Sequence, residues 1–192
     1  MKSLKLTLKA WPVIAAATIG LCYLTQTVAG WFGIELPDQQ NIDIVRRCGQ
    51  HAFDSLKNFG VFAFLCAQVI VLLPAAEELV FRGLLFKLPR HLLDKKRESG
   101  IPYASEQRGS GVLAACQELA PWAISSSALF SAAHYLAQPW PDAAFLALFF
   151  FGLAQCWLYK KTGRLWCAIL NHGLFNLTNL VLLFILPESW QT

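Results

Sequence analysis

Two adjacent acids and one base, Glu77, Glu78 and Arg82, lie inside an apolar stretch that is long enough to cross a membrane. The stretch runs from Val61 to Phe86 and contains no other charged side chain. A charge deep in hydrocarbon is costly, so ionisable groups in such segments usually face a partner or a water-filled cavity. These three residues are therefore the first candidates for chemistry.

Helical spacing predicts different surroundings for the two acids. Residues four apart share a helix face, so Glu78 can reach Arg82. Glu77 is rotated by about 100° from Glu78 and points elsewhere. Arg82 can thus neutralise Glu78 and leave Glu77 free to react. Pro74 should kink this helix and free backbone groups near the acids, which is tolerated where the backbone lines a cavity.

Two later apolar segments carry polar groups at the same one-turn spacing. His134 follows Phe130 by four residues, and Asn176 follows His172 by four. The small Ser and Ala residues that precede His134, and Gly173 beside His172, should let neighbouring helices approach closely.

Several kinds of chemistry fit this set. A carboxylate and a histidine can activate a water by general base catalysis, while a second histidine and an amide stabilise an oxyanion. Glu77, His134 and His172 could equally bind zinc with one position open. The sequence contains neither HExxH nor GxSxG.

Each feature alone also has a purely structural explanation. A histidine in an apolar helix is often a packed residue, a Glu–Arg pair can be a buried ion pair, and a mid-span Asn can join helices. The conjunction on three different spans favours one shared functional centre, as intramembrane charges generally do.

The composition predicts the scaffold of these residues. The chain has 192 residues, of which 56% are hydrophobic and only 15% charged, whereas soluble domains carry about a quarter charged residues. Lipid tolerates no unpaired backbone, so helices are expected. We predict one all-α membrane domain, 1–192, a polytopic helix bundle of about five transmembrane helices with a polar intramembrane site. The spans are about 11–30, 60–86, 112–137, 143–159 and 165–186.

The connecting segments predict the orientation. Lys and Arg number three before the first span, six in 87–111 and three in 160–164, with none in 138–142 or after 186. Alternate basic loops predict a cytoplasmic N-terminus. The 31–59 connector also has three Lys and Arg residues, which do not favour the outside of the membrane. Its 39–59 part is therefore expected to lie as a helix at the interface. No basic cluster alternates with aromatics, so nucleic-acid binding is not expected.

The first span has a competing interpretation. Lys2, Lys5 and Lys9 precede Trp11 and an apolar run, as in a signal peptide. Thr27 suits the position three before a cleavage site poorly, and the run is long. A retained span is expected.

The ordered motifs resemble a known family. Glu77-Glu78-Leu-Val-Phe-Arg82 is similar to the EExxxR signature of the CAAX-processing and bacteriocin-processing family of intramembrane proteases, called CPBP or ABI. Phe130-Ser-Ala-Ala-His134 and His172-Gly-Leu-Phe-Asn176 are similar to its FxxxH and HxxxN motifs. The resemblance covers about 60–187, in the family's order.

The resemblance implies an activity and a set of roles. The chain would be an intramembrane endopeptidase that hydrolyses a peptide bond of a membrane-associated protein or peptide, in C-terminal processing or sorting-type cleavage. Glu77 and His134 would activate the water, and His172 and Asn176 would stabilise the oxyanion. Three residues, Glu78, Arg82 and Phe130, would support them.

The same resemblance implies partners and a location. The expected partners are a membrane-anchored substrate and the lipid bilayer, in a multi-pass protein of the bacterial inner membrane whose site opens towards the cytoplasm. No cofactor is favoured; zinc held by Glu77, His134 and His172 is the alternative. A non-catalytic immunity or scaffold protein and a small proton- or ion-conducting protein are the competing functions. The intact motif set favours the peptidase.

Overall fold

The structure, a computed structural model, describes residues 1–34, 40–87, 112–135 and 144–186, with the backbone alone described for 40–43, 112–120 and 135. Within these ranges every regular element is a helix, which confirms the predicted all-α class. Nearly all of the predicted loop 87–111, the predicted turn 138–142 and residue 187, the end of the motif-bearing region, lie outside the described residues.

The helices follow one another in a simple order. α1 spans Lys2–Trp31 and α2 spans Gln40–Gln50. The second apolar stretch is a continuous composite helix, which we call the composite span. Its parts are α3 (Leu56–Ala67), π1 (Gln68–Leu72), α4 (Leu73–Glu78) and π2 (Leu79–Lys87). The later helices are α5 (Val112–Tyr135), α6 (Ala144–Thr162) and α7 (Leu165–Ile185).

Three of the described helices are long and apolar enough to cross a membrane: Lys2–Trp31, Leu56–Lys87 and Leu165–Ile185. This finding confirms an all-α membrane bundle, while the count of five spans stays a prediction. The helix α2 falls inside the 39–59 segment that was expected to be helical. Its location at an interface also stays a prediction.

Pro74 explains why the composite span is irregular. A proline has no N–H, and its ring crowds the carbonyl four residues earlier, so it interrupts the regular α-helical hydrogen-bond pattern. The chain responds with a π-helical turn immediately before α4, in which the Leu73 N–H bonds to the Gln68 carbonyl five residues back. The irregularity expected at Pro74 thus takes the form of a widened turn, while a bend of the helix axis stays a prediction.

Small residues bring the motif-bearing helices together, as the sequence predicted. A Cβ added to Gly152 of α6 would lie 2.8 Å from the Cβ of Ser127 in α5. A Cβ added to Gly173 of α7 would collide with the backbone carbonyl oxygen of Ile70 in π1. Only glycine permits these approaches, so both positions fix how closely the helices pack.

An apolar core surrounds the polar residues. Ala15, Phe130, Phe151 and Phe175 form one buried cluster drawn from α1, α5, α6 and α7. The Trp11 indole N–H of α1 donates to the Thr178 hydroxyl of α7 at 3.2 Å. The first helix is thus packed into the bundle, and the core that it completes encloses the site.

Candidate active site

Glu78 and Arg82 form a fully buried ion pair on the composite span. Nη1 of Arg82 lies 3.2 Å from Oε1 of Glu78, and both side chains have 0% exposure. The predicted contact is therefore confirmed. Nη2 of Arg82 also donates to the Gly152 carbonyl at 3.1 Å. The planar guanidinium lies 4.6 Å from the centre of the Phe130 ring, where the π face stabilises a cation.

His172 of α7 lies between the two acids. Its Nδ1 donates to Oε1 of Glu78 at 2.9 Å, and its Nε2 lies 3.6 Å from Oε2 of Glu77. The carboxylate of Glu78, which is paired with Arg82, can only accept. The proton of the neutral imidazole is therefore on Nδ1. This link from the first motif to the third was not predicted.

Glu77 has surroundings unlike those of Glu78, as the helical spacing predicted. Its side chain is 26% exposed, while Glu78 is sealed from solvent. The distance from Glu77 to His172 is longer than a hydrogen bond. Glu77 is thus the more accessible of the two carboxylates and the one whose oxygen atoms remain available to a further group.

His134, near the end of α5, is oriented by its own helix. Its Nδ1 bonds to the Phe130 carbonyl at 2.9 Å. A carbonyl only accepts, so Nδ1 carries the proton and Nε2 keeps a lone pair in the neutral ring. Among the described side chains, His134 and Glu77 form no direct hydrogen bond or ion pair. The His134 ring packs against that of Phe130, at 4.6 Å between ring centres.

Asn176 follows His172 by one turn of α7 and is half-buried. Its Nδ2 donates to the Val69 carbonyl of π1 at 2.8 Å. An amide nitrogen has two hydrogens, so one N–H is used and the second remains.

Phe130 joins the two halves of the site. Its buried ring contacts the guanidinium of Arg82, the ring of His134 and, at 5.8 Å between centres, the ring of His172. Phe151 contacts His172 from another side at 5.0 Å. These aromatic contacts limit the freedom of the imidazole and exclude water from the Glu78–Arg82 pair.

Sequence reasoning missed the backbone acceptors of the site. The carbonyls of Gly152 and Val69 hold Arg82 and Asn176, and a carbonyl has no side-chain signature. Pro74 could have indicated that a carbonyl such as that of Val69 lacks a main-chain partner, because a proline has no N–H to donate. The resemblance to the family extends weakly to Phe151-Gly152, but it gives no sign that the Gly152 carbonyl would bind Arg82.

Zinc held by Glu77, His134 and His172 was the alternative that the sequence left open. Within the residues that the structure describes, no three His, Cys, Asp or Glu side chains are grouped so that they could hold a metal ion. In the proposed zinc-binding set of Glu77, His134 and His172, the two ring nitrogens of His172 already face other groups. Its Nδ1 is bound by Glu78 and its Nε2 faces Glu77.

Comparison with known proteins agrees with the motifs. Residues 59–178 match the family described as "Type II CAAX prenyl endopeptidase Rce1-like". The chain matches no curated protein and no solved structure. The family match covers more than half of the 192 residues and includes all the predicted site residues. On this match, and on the membrane bundle that bears the three motifs, the chain belongs to the Type II CAAX prenyl endopeptidase Rce1-like family.

Proposed function

We propose that the chain is an intramembrane endopeptidase that hydrolyses a peptide bond of a membrane-anchored protein or peptide by means of a water activated by Glu77 and His134. The observation that carries the proposal is the position of His172 between Glu77 and Glu78 in an apolar bundle. Charged groups are kept in such surroundings, despite their cost, mainly where they serve a function.

The two acids have separate tasks in this mechanism. Glu77 is partly accessible and accepts a proton from the attacking water. The Nε2 lone pair of His134 accepts the second hydrogen bond of that water and orients it, since Nδ1 is already bound to Phe130. The hydroxide oxygen then attacks the peptide carbonyl carbon. The proton taken by Glu77 passes to the leaving amine when the carbon–nitrogen bond breaks.

His172 and Asn176 stabilise the negative oxygen of the tetrahedral intermediate. The unused Nδ2 hydrogen of Asn176 supplies one donor. In the doubly protonated ring, Nε2 of His172 supplies a second donor beside Glu77. Arg82 supports the arrangement by holding Glu78, and hence Nδ1 of His172, in place.

The family description indicates the substrate class to test first. It names a CAAX prenyl endopeptidase, so the proposed substrate ends in a Cys-aliphatic-aliphatic-X sequence with a lipid on the cysteine. Sorting-type cleavage of another membrane anchor is the second substrate class. We propose a metal-free reaction, because both nitrogen atoms of His172 already lie against the carboxylates of Glu78 and Glu77.

We also propose an inner-membrane location with a cytoplasmic N-terminus. The start of α1 packs against the α6–α7 connection, since Ala10, Leu158 and Cys167 form one cluster. Phe86, next to Lys87, contacts Tyr159, next to Lys160, at 6.1 Å between ring centres. The start of α1, the end of the composite span and the α6–α7 connection therefore lie at one end of the bundle, as a single cytoplasmic face requires.

The direct test is cleavage of a defined peptide by the full chain in liposomes. The probe is a farnesylated CAAX peptide with the unlipidated peptide beside it, and mass spectrometry identifies the products. Glu77→Gln and His134→Ala should each lower kcat by about 100-fold or more, as loss of a general base does. Full activity in both variants would refute the assigned mechanism.

The chain offers a matched control pair. His51 and Asp54 also form an acid–histidine contact, at 2.9 Å, but they are exposed at the α2–α3 corner. His51→Ala and Asp54→Asn should leave kcat within about twofold, since exposed pairs contribute little. Treatment with a chelator should leave activity unchanged, and metal analysis of the treated protein verifies that metal has been removed. A loss of activity that added zinc restores would establish the metal-dependent alternative.

A further inference from the structure

One backbone carbonyl in the composite span has its partner on another helix. In a regular α-helix the Val69 carbonyl would accept from the N–H of residue 73. In π1 the Leu73 N–H instead bonds to the carbonyl of Gln68. The Val69 carbonyl therefore needs another donor, and it receives the side-chain amide of Asn176 at 2.8 Å.

Pro74 explains why no main-chain group takes that place. The π pattern pairs residues five apart, so the donor after Leu73 would be the N–H of residue 74. Residue 74 is a buried proline and has no N–H. A carbonyl inside an apolar bundle must find some donor, because water is not available to it. The Val69 carbonyl oxygen of π1 is thus an acceptor without a main-chain donor, and α7 lies next to it.

Gly173 sets the distance between the two elements. A Cβ at this position would collide with the Ile70 carbonyl oxygen, so the backbone of α7 and that of π1 are in direct contact. Asn176 lies one turn of α7 further along and faces the preceding carbonyl, that of Val69. Pro74, π1 and Gly173 together therefore form one packing unit around the amide of Asn176.

We infer that the Val69 carbonyl, bared by Pro74, is the positioning group that orients the Asn176 amide for catalysis. A carbonyl accepts only, so it selects the orientation in which Nδ2 faces it. A flipped amide would bring two acceptor oxygen atoms together. The selected orientation keeps the second Nδ2 hydrogen for the substrate oxygen, and to that extent the inference rests on the proposed function.

The first test replaces Pro74 with alanine in the full chain. The restored N–H competes for the Val69 carbonyl and permits a regular turn, so Asn176 loses its fixed orientation. With the farnesylated CAAX peptide, kcat should fall by about tenfold or more while KM stays within about twofold, the sign of a lost transition-state contact. The matched control is Pro12→Ala, because Pro12 also lies inside a helix but is exposed and belongs to α1, not to the composite span.

A double variant separates positioning from general damage. Asn176→Ala alone should lower kcat by about 100-fold or more, the usual effect of losing one oxyanion donor. If Pro74 acts through Asn176, adding Pro74→Ala to Asn176→Ala should cost no further activity, since coupled residues are not additive. A further loss of the size seen in the single Pro74→Ala variant would overturn the inference.

A readout without substrate keeps the inference testable on its own. The side-chain amide of Asn176, identified in NMR spectra by its absence in Asn176→Asp, should show one shifted, exchange-protected hydrogen. Pro74→Ala and Gly173→Ala should move that signal, and Gly60→Ala should not, because nothing lies within 4 Å of a Cβ at Gly60. An unchanged signal in Pro74→Ala would exclude the positioning role.

The two hypotheses fail differently. If Asn176→Ala retains wild-type kcat, the proposed oxyanion role of Asn176 is wrong, whatever the NMR signal shows. If Asn176→Ala is impaired while Pro74→Ala changes neither kcat nor the amide signal, the proposed function stands and the positioning role is wrong.

Discussion

The carboxylate of Glu78 and the imidazole of His172 form one buried hydrogen bond, 2.9 Å between Oε1 and Nδ1. The two residues are 94 positions apart, and the bond joins the composite span to α7. Because the same oxygen also faces Arg82, at 3.2 Å, one atom holds both a cation and the ring of a candidate catalytic residue. A change at Glu78 should therefore act on stability and on activity together.

Glu78→Gln should be much more destabilising than Glu77→Gln. The glutamine oxygen can still accept from His172, but the buried charge of Arg82 loses its counter-ion. Breaking a buried ion pair from one side costs about 3–5 kcal/mol. Glu77 is 26% exposed, so its substitution should cost less than about 1 kcal/mol. Unfolding midpoints in mild detergent compare the two variants; equal midpoints would show that Glu78 is not the structural acid.

Local spacing made part of the site predictable. The 3.6-residue helical repeat predicts that Glu78 lies beside Arg82 and that His172 and Asn176 share a face. This prediction does not depend on how the helices pack. The separation of Glu77 from Glu78 follows from the same repeat. The contact between Glu78 and His172 does not, because it depends on how two helices pack. The polar groups on three spans, together with the resemblance to a family, predicted one shared centre but not this contact within it.

Phe130→Leu should lower both stability and activity although it conserves apolar character. The ring contacts the guanidinium of Arg82 at 4.6 Å and two histidines, and leucine has no π face for the cation. A desolvated cation–π contact contributes about 2 kcal/mol, and we expect a loss of that size. Detergent unfolding measures it, with kcat on the farnesylated CAAX peptide in parallel.

The control for Phe130 is a phenylalanine of α6. Phe150 is 51% exposed, on the surface that would face lipid, so Phe150→Leu should change stability by less than about 0.5 kcal/mol. A similar loss in both variants would mean that the size of the ring, and not its contacts in the site, determines the effect.

The irregular backbone was only half predictable. The kink at Pro74 follows from proline chemistry, whereas its form, a π turn that bares the Val69 carbonyl, depends on α7 supplying a donor. The second π segment, Leu79–Lys87, has no proline and no local sequence signal. It carries Arg82, whose partners include the Gly152 carbonyl on α6. Tertiary contacts of this kind are not encoded in the local sequence pattern.

Gly152→Ala should separate α5 from α6 and disturb Arg82 without touching any charged residue. The added Cβ would lie 2.8 Å from the Cβ and 2.9 Å from the Oγ of Ser127, closer than packed atoms allow. Relief of this clash should move the Gly152 carbonyl away from Arg82, to which it now bonds at 3.1 Å. Overpacking of this kind costs about 1–3 kcal/mol. A lowered unfolding midpoint and a lowered kcat are both expected.

A second substitution tests whether the clash is the cause. Ser127→Gly removes the two closest atoms and leaves the Ser127 Cα, at 3.0 Å, so Ser127→Gly combined with Gly152→Ala should recover part of the lost kcat. Gly20→Ala is the control, since nothing lies within 4 Å of a Cβ at Gly20 and the helix should gain up to about 1 kcal/mol. Recovery of kcat would show that the contact between Ser127 and Gly152 positions Arg82. A double variant no better than Gly152→Ala alone would place the cause elsewhere in α6.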